Sequence, residues 1–409
     1  MTKRVVVTGM SSITALGDNW DTFLGGLQAG NNAIVYMEDW DCYDGLLTRL
    51  GSPVPDFKLP PHYTRKKIRS MGRIAQMATR ATEVALEDAG LLGDPLVTSG
   101  NMGVAYGSSA GSPAAIAEFG GMLIHKKVDG LNASSYIRMM SHTTPVNIGI
   151  YFGLKGRVFT TSSACTSGSQ GIGYAYEAIR NGQQIAMVAG GAEELCATEA
   201  AVFDTMYATS TWNDHPEQSP KPFDRERDGL VIGEGAGTLV LEALDHAQAR
   251  GATIYAEIVG FGTNADGSHV TKPVPETMAI AMDMALQQAG LPGNAIGYVN
   301  AHGTATEHGD IAESHATAQV FGSRIPFSSL KSYLGHTLGA CGAIEAWASI
   351  NMMNNDWYHP TINLDHLDER CAEVDYIMGE GRTLSNEFVA SNNFAFGGIN
   401  TSLIFKRWA

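Results

Sequence analysis

The chain has 409 residues, 44% of them hydrophobic and 17% charged, with a formal net charge of −15. That balance is globular, and its sign excludes a general binder of nucleic acid or of an anionic membrane surface. Five scattered cysteines with no CxxC pair exclude a zinc ribbon and a disulfide framework. No apolar run reaches bilayer length, and MTKRVVVTG enters a strand without the apolar core of a signal peptide. A cytoplasmic protein without membrane insertion is expected.

Taken in order, Lys3–Thr8 predicts a strand and Asp21–Ala29 a short helix. Residues 34–61 are irregular. Ile74, Met77, Ala78, Ala81, Val84 and Ala85 recur at helical spacing and predict a helix over Ile74–Ala89, stopped by Gly90. Met102–Tyr106 is the next strand, and Pro113–Lys126 and Thr144–Phe152 are helices. Val158–Thr161 predicts a strand and Gly173–Arg180 a helix. Ile185–Ala189 is a buried strand, Ala200–Ala208 a helix, and Pro220–Gly237 a Gly-, Asp- and Arg-rich loop. GEGAG within that loop lacks the Lys-Ser/Thr ending and a clear preceding strand, so nucleotide binding is rejected. Thr238–Leu241 follows as strand and Leu244–Arg250 as helix.

A second strand–helix series starts after Gly251. Ile254–Gly262, Ile296–Ala301, Ile325–Ser328, Phe388–Asn392 and Ser402–Phe405 predict strands. Thr277–Ala289, Asp310–Phe321 and Gly339–Met353 predict helices. The repeated order points to two similar α/β units, 1–251 and 252–409, with no flexible linker between them.

Three residues stand out chemically. Cys165, in VFTTSSACTSGSQGIG, falls where a strand gives way to a helix. Small neighbours allow close approach, and a helix N-terminus favours thiolate over thiol. Alone it would more often be a buried small hydrophobe. His302 lies at a strand end and His336 just before a helix, both in the second half. Together the three suit either a metal site or a nucleophile with two hydrogen-bond donors for a developing enolate. The absence of close ligand spacing argues against the metal. On this acidic chain Arg65, Lys66, Lys67, Arg69 and Arg73 form a basic cluster. It is a solvated helix face or a dock for an acidic protein or phosphate.

TSSACTSGSQ, NAHGTATEHGD, KSYLGHTLGACGAIEA and SNNFAFGGINTSLIF resemble, in order, the motifs of the β-ketoacyl-acyl carrier protein synthases, across nearly the whole chain. The resemblance implies the thiolase fold: α/β, duplicated halves, a five-layered αβαβα body, and a dimer. It implies Cys165 as acyl acceptor, His302 and His336 as its partners, and Lys331 in support. Asp310, Glu313 and Glu345 match acidic positions that orient the lysine and the site. Thr304 and Thr306 match threonines that bind phosphopantetheine. Phe396 matches the gating phenylalanine, whose N–H joins that of Cys165 in an oxyanion hole, with Phe394 in the same loop. Ala305 and Ala395 stand where the family commonly has Gly.

The implied reaction is decarboxylative Claisen condensation of a Cys-bound acyl chain with malonyl-acyl carrier protein. It uses no metal and no cofactor beyond substrate-borne phosphopantetheine. The acidic carrier protein favours Arg65, Lys66, Lys67 and Arg69 as its dock. Ala110 matches a bulky gate of the acyl pocket in fatty-acid elongating members; a small residue there leaves a channel toward the dimer partner. The chain further resembles aryl polyene ketosynthases, which pair with a chain-length factor. A heterodimer of that kind is expected, or a homodimer, and housekeeping fatty acid elongation is the alternative role. GSSAG also fits a hydrolase elbow with Ser109 as nucleophile. A silent chain-length-factor role conflicts with the presence of Cys165 and both histidines.

Overall fold

The structure, a computed structural model, describes residues 2–409. Among these, eleven strands join in one hydrogen-bonded order. From one edge they run Asp375–Tyr376, Pro326–Ser328, Tyr298–Asn300, Phe388–Ala395, Ile399–Arg407 and Ala256–Ala265. They continue through Val5–Ile13, Gly235–Ala243, Ala186–Glu193, Met102–Gly107 and Val158–Thr161.

The order is a mirror about one junction, where Val5–Val7 pairs antiparallel with Ala256–Ile258. Outward on either side come two antiparallel pairings and then parallel ones, two in the first half and three in the second, where the edge strand Asp375–Tyr376 is extra. The expected duplication is therefore present in the strand pairing itself. Gly251, the expected seam, lies between the helix Leu244–Ala249 and the strand Ala256–Ala265.

Two helices occupy equivalent places in the halves. Ser167–Arg180 follows Val158–Thr161, and Cys341–Asn355 follows Pro326–Ser328. They pack on each other, and each touches strands of both halves. They form the middle layer of the five expected. Their apolar content shows why: Ile172, Ala175, Ile179, Ala343, Trp347 and Ile350 are all buried in one cluster with strand residues Val7, Leu241 and Leu403. Apolar or small residues on most faces of both helices need cover on most sides. The outer helix Arg73–Asp88 is different. It buries Ile74, Met77, Ala78, Ala81 and Ala85 on the first half's sheet and leaves Glu87 and Asp88 outward.

Close approach has a sequence cause. A Cβ on Gly168 would sit 2.9 Å from Ala343 N and 3.0 Å from Gly339 O, so the inner helices meet at this distance only with glycine there. Each inner helix is entered through a short 3₁₀ turn, Ala164–Thr166 and Leu338–Ala340. Both turns open on a non-glycine residue with left-handed backbone, Ala164 at φ 50° and Leu338 at φ 43°. That conformation costs about 1–2 kcal/mol per residue, and surrounding packing must offset it.

Helix 167–180 begins six residues before the predicted Gly173, because Ser167–Ile172 is shielded by the second half and needs no strong propensity of its own. Arg65–Arg69 lies in turns, not on a helix, and Arg73 is held by Glu234 at 2.6 Å, which removes it from the basic cluster. No helix is long and apolar enough to cross a membrane among the described residues.

Candidate active site

The strained turn before helix 167–180 presents Cys165, 3% exposed, at the helix entrance. From the other half, His336 precedes the equivalent turn, and His302 follows the strand Tyr298–Asn300. The His336 Nε2 lies 2.9 Å from Cys165 Sγ. The two imidazoles meet edge to face with centroids 5.1 Å apart. One ligand-type atom from each of the three residues falls within 4.8 Å of the others. A cysteine and two histidines, the nearer histidine 137 positions along the chain from the cysteine, thus converge on one point.

Hydrogen bonds fix both tautomers. The Leu338 N–H donates to His336 Nδ1 at 3.2 Å, which leaves the proton on Nε2, facing the sulfur. Lys331 Nζ donates to His302 Nδ1 at 3.2 Å, so this ring too carries its proton on Nε2. Burial, with the Lys331 charge second, holds both histidines well below the ordinary imidazole range. They are neutral donors. The buried ammonium beside His302 also opposes a cation in the same space, which weighs against the metal reading.

Lys331 is 2% exposed and bonds Glu345 at 2.5 Å. Burial is the largest single influence and pulls the lysine down, but the charge and hydrogen bond of Glu345, with Cys341 and Glu313 adding to them, together outweigh it, and the ammonium persists. Glu345 also accepts from Asn393 Nδ2 at 2.6 Å. Glu313 accepts the N–H groups of His302 and Gly303, each at 2.7 Å. Asp310 accepts those of Thr304, Ala305 and Phe223 at 3.0, 3.1 and 2.7 Å. Burial lifts Glu313 to about 8 and Asp310 to about 6 against those donors. The three acids therefore divide the work: Glu345 holds the lysine, Glu313 the His302 backbone, and Asp310 the loop 303–306. Ala305, in that loop, adopts φ 65° where a glycine would be unstrained, and the Asp310 bond to its N–H helps hold it.

The thiolate expectation needs correction. Burial pushes the Cys165 thiol up to about 11, and Lys331 and the N–H groups of Phe396 and Cys165 only partly reverse this. Desolvation of a thiolate outweighs the helix N-terminus at this depth. Those same two N–H groups lie beside the sulfur.

Cys165, His302, His336, Thr304, Thr306, Phe394 and Phe396 line one cavity of about 440 Å³, which exposed Lys272 and His308 also border. The hydroxyls of Thr304 and Thr306 lie 2.9 Å apart. Phe396 packs on Phe203 with centroids 4.8 Å apart. Ala395 is in extended strand, so its methyl adds no backbone strain. Ala110 does not line this cavity; it lies in the loop that follows Met102–Gly107, beside Glu193. Ser109 faces Glu193 and no histidine, so it lacks a hydrolase's base. Arg65, Lys66, Lys67 and Arg69 are exposed on the surface. The sequence also carried Asn393, inside a quoted motif, and Glu193, in a pair of acids at the end of a buried strand; Glu199, alone on the following helix, carried no such signal.

The family model described as "Beta-ketoacyl synthase, N-terminal domain" matches residues 2–247, and "Beta-ketoacyl synthase, C-terminal domain" matches 255–365. A "3-oxoacyl-[acyl-carrier-protein] synthase 2" of Synechocystis sp. is 37% identical, covering 99% of this chain and 98% of that one. A β-ketoacyl synthase from Burkholderia phymatum is 59% identical with a TM-score of 0.99, covering both chains fully. A structure titled the ishigamide ketosynthase/chain length factor is 30% identical over 100% of each chain, with a TM-score of 0.90. A ketosynthase in complex with its chain length factor from Xenorhabdus doucetiae is 26% identical with a TM-score of 0.83, covering 99% of this chain and 98% of that one.

Proposed function

The chain belongs to the β-ketoacyl synthase family and is an acyltransferase of the 3-oxoacyl-acyl carrier protein synthase kind; we propose that it extends polyene chains as the active subunit of a ketosynthase/chain-length-factor heterodimer. The observation that carries the chemistry is the approach of His336 Nε2 to Cys165 Sγ beside a second neutral imidazole.

The mechanism follows from charge placement. An acyl thioester on carrier-protein phosphopantetheine enters past Thr304 and Thr306, and its carbonyl oxygen meets the N–H groups of Cys165 and Phe396. The sulfur attacks in its ionised form, which the His336 Nε2–H stabilises, and the carrier thiol leaves with the proton. Malonyl-carrier protein then takes the emptied site. Loss of carbon dioxide leaves an enolate whose oxygen receives the two Nε2–H groups, where its charge develops. The enolate carbon attacks the Cys165 thioester, the same pair of N–H groups holds the tetrahedral oxyanion, and the sulfur departs. Neutral donors suit this: a carboxylate must leave as carbon dioxide, and an imidazolium would hold it by ion pairing. No cofactor is needed beyond the substrates' phosphopantetheine, and Arg65, Lys66, Lys67 and Arg69 dock the acidic carrier protein.

Likeness to ketosynthase/chain-length-factor structures supports the polyene reading. The 37% identity to a 3-oxoacyl synthase favours saturated fatty acid elongation as the second reading. Mass spectrometry of acyl groups trapped on Cys165 with the native carrier protein separates them. Conjugated chains, with Cys165→Ala trapping nothing, support the first. Saturated chains from a homodimer refute it. Condensation retained by Cys165→Ala refutes the chemistry.

A further inference from the structure

One buried cluster of titratable groups plays no part in the mechanism above. Glu193 ends the strand Ala186–Glu193 and is 0% exposed. Its Oε2 accepts the N–H groups of Ser109 at 2.8 Å and Gly339 at 2.9 Å. Its Oε1 has no partner. Glu199 stands in the helix Ala197–Asp204, and both its carboxyl oxygens are shut from solvent without a partner. Three carboxyl oxygens are thus left unsatisfied in one place, where each unmet polar group is expensive. The two side chains feel each other: after burial, the charge of Glu193 is the largest influence raising Glu199.

The place matters. Glu199 and Phe203 are four residues apart on one helix, hence on one face and one turn, about 5.4 Å, from each other. Phe203 lines the cavity that holds Cys165 and packs against Phe396. Ala200, next to Glu199, is buried in one cluster with Cys165 and Leu338. Glu193 lies close enough to Cys165 to act on its ionisation. From the other side, Ala110 adds its N–H to those around Glu193. Phe203 lines the cavity and neither glutamate does, so the pair lies behind Phe203, one helical turn from the cavity wall.

We propose that Glu199, backed by Glu193, is a specificity-determining residue that hydrogen-bonds a hydroxyl carried by the acyl chain beyond Phe203. Burial and the Glu193 charge favour the protonated Glu199 carboxyl, which leaves a donor and an acceptor unmet at Glu199 and an acceptor at Glu193 Oε1. A hydroxyl satisfies both, and a methylene or methyl end satisfies neither. A site built for a hydroxyl rejects the analogue that lacks it far more strongly than an apolar site rejects the reverse. The inference rests on the reading of Cys165 as acyl acceptor.

The test uses the full chain and carrier-protein-bound acyl chains of graded length, each made with a terminal methyl and with a terminal hydroxyl. Initial rates of Cys165 acylation are read by intact-protein mass spectrometry. At one chain length the wild type should load the hydroxyl form about tenfold faster or more, and Glu199→Leu should abolish or invert that ratio. Glu199→Met, closer in shape to glutamate, gives the same readout should the leucine variant not fold. Equal loading of both forms by the wild type at every length overturns the proposal. So does a ratio unchanged in the variants. Methyl-ended chains that load without any hydroxyl preference refute this inference alone, whereas failure of every chain to load refutes the acyl-acceptor reading with it.

Discussion

The buried ion pair behind His302 can be tested by a double-mutant cycle on Lys331 and Glu345. The partners are each 2% exposed and 2.5 Å apart. At an effective dielectric of about 20, direct attraction at that distance is roughly 7 kcal/mol. Much of it only offsets the desolvation of two ions, so the pair is not a large net stabiliser. Removing one partner is different. Lys331→Met strands a buried carboxylate, and Glu345→Leu strands an ammonium and frees Asn393 Nδ2. Each single change should cost about 3–5 kcal/mol of unfolding free energy. The double variant should cost clearly less than the sum, with a coupling of about 2 kcal/mol or more. Urea unfolding of the four proteins measures this. Additive losses would refute the reasoning, since they would mean that neither charge depends on the other. Condensation should fall about 10–100-fold in every variant lacking Lys331, because His302 loses the donor that fixes its tautomer.

His359, 0% exposed, donates Nδ1–H to Pro360 O at 2.9 Å and leaves Nε2 buried without a partner; burial lowers its pKa from 6.5 to about 4. A depressed folded pKa means stability that is present above 6.5 and lost as pH falls toward 4. Between pH 7 and 5 this group alone should cost about 2 kcal/mol. His359→Gln should flatten the urea-midpoint profile by that amount, and an unchanged profile would count against it. At the surface, Lys66→Glu with Lys67→Glu should raise KM for carrier protein about tenfold, with a salt-dependent effect. Turnover of a small thioester mimic should not change; a parallel loss there would point to misfolding.

Much of the site was readable before the fold because its chemistry is carried by residue types that few other roles explain. Cys165 between a strand and a helix, and two histidines at element ends, already implied a shared cavity. The strand Val158–Thr161 is as predicted because it is short, largely β-branched and followed by small residues. Helix 167–180 was cut short because SGSQGI has poor intrinsic propensity, and only burial between the halves makes it helical. The sulfur's protonation state was misjudged for a related reason. A helix N-terminus is visible in sequence, whereas the depth at which it is buried depends on the opposite half. The acids Glu193 and Glu199 were invisible as a pair because one ends a strand and the other rides a helix.

The matched entrances to the two inner helices have a consequence for capacity. Counting from the start of each helix, Cys165 corresponds to Gly339. A Cβ on Gly339 would fall 2.7 Å from Ser109 N and 2.8 Å from Glu193 Oε2, so no side chain fits there. The duplicated architecture therefore cannot duplicate its reactive atom. Each polypeptide carries one acyl cargo at a time, and the second repeat is sterically committed to serving the first.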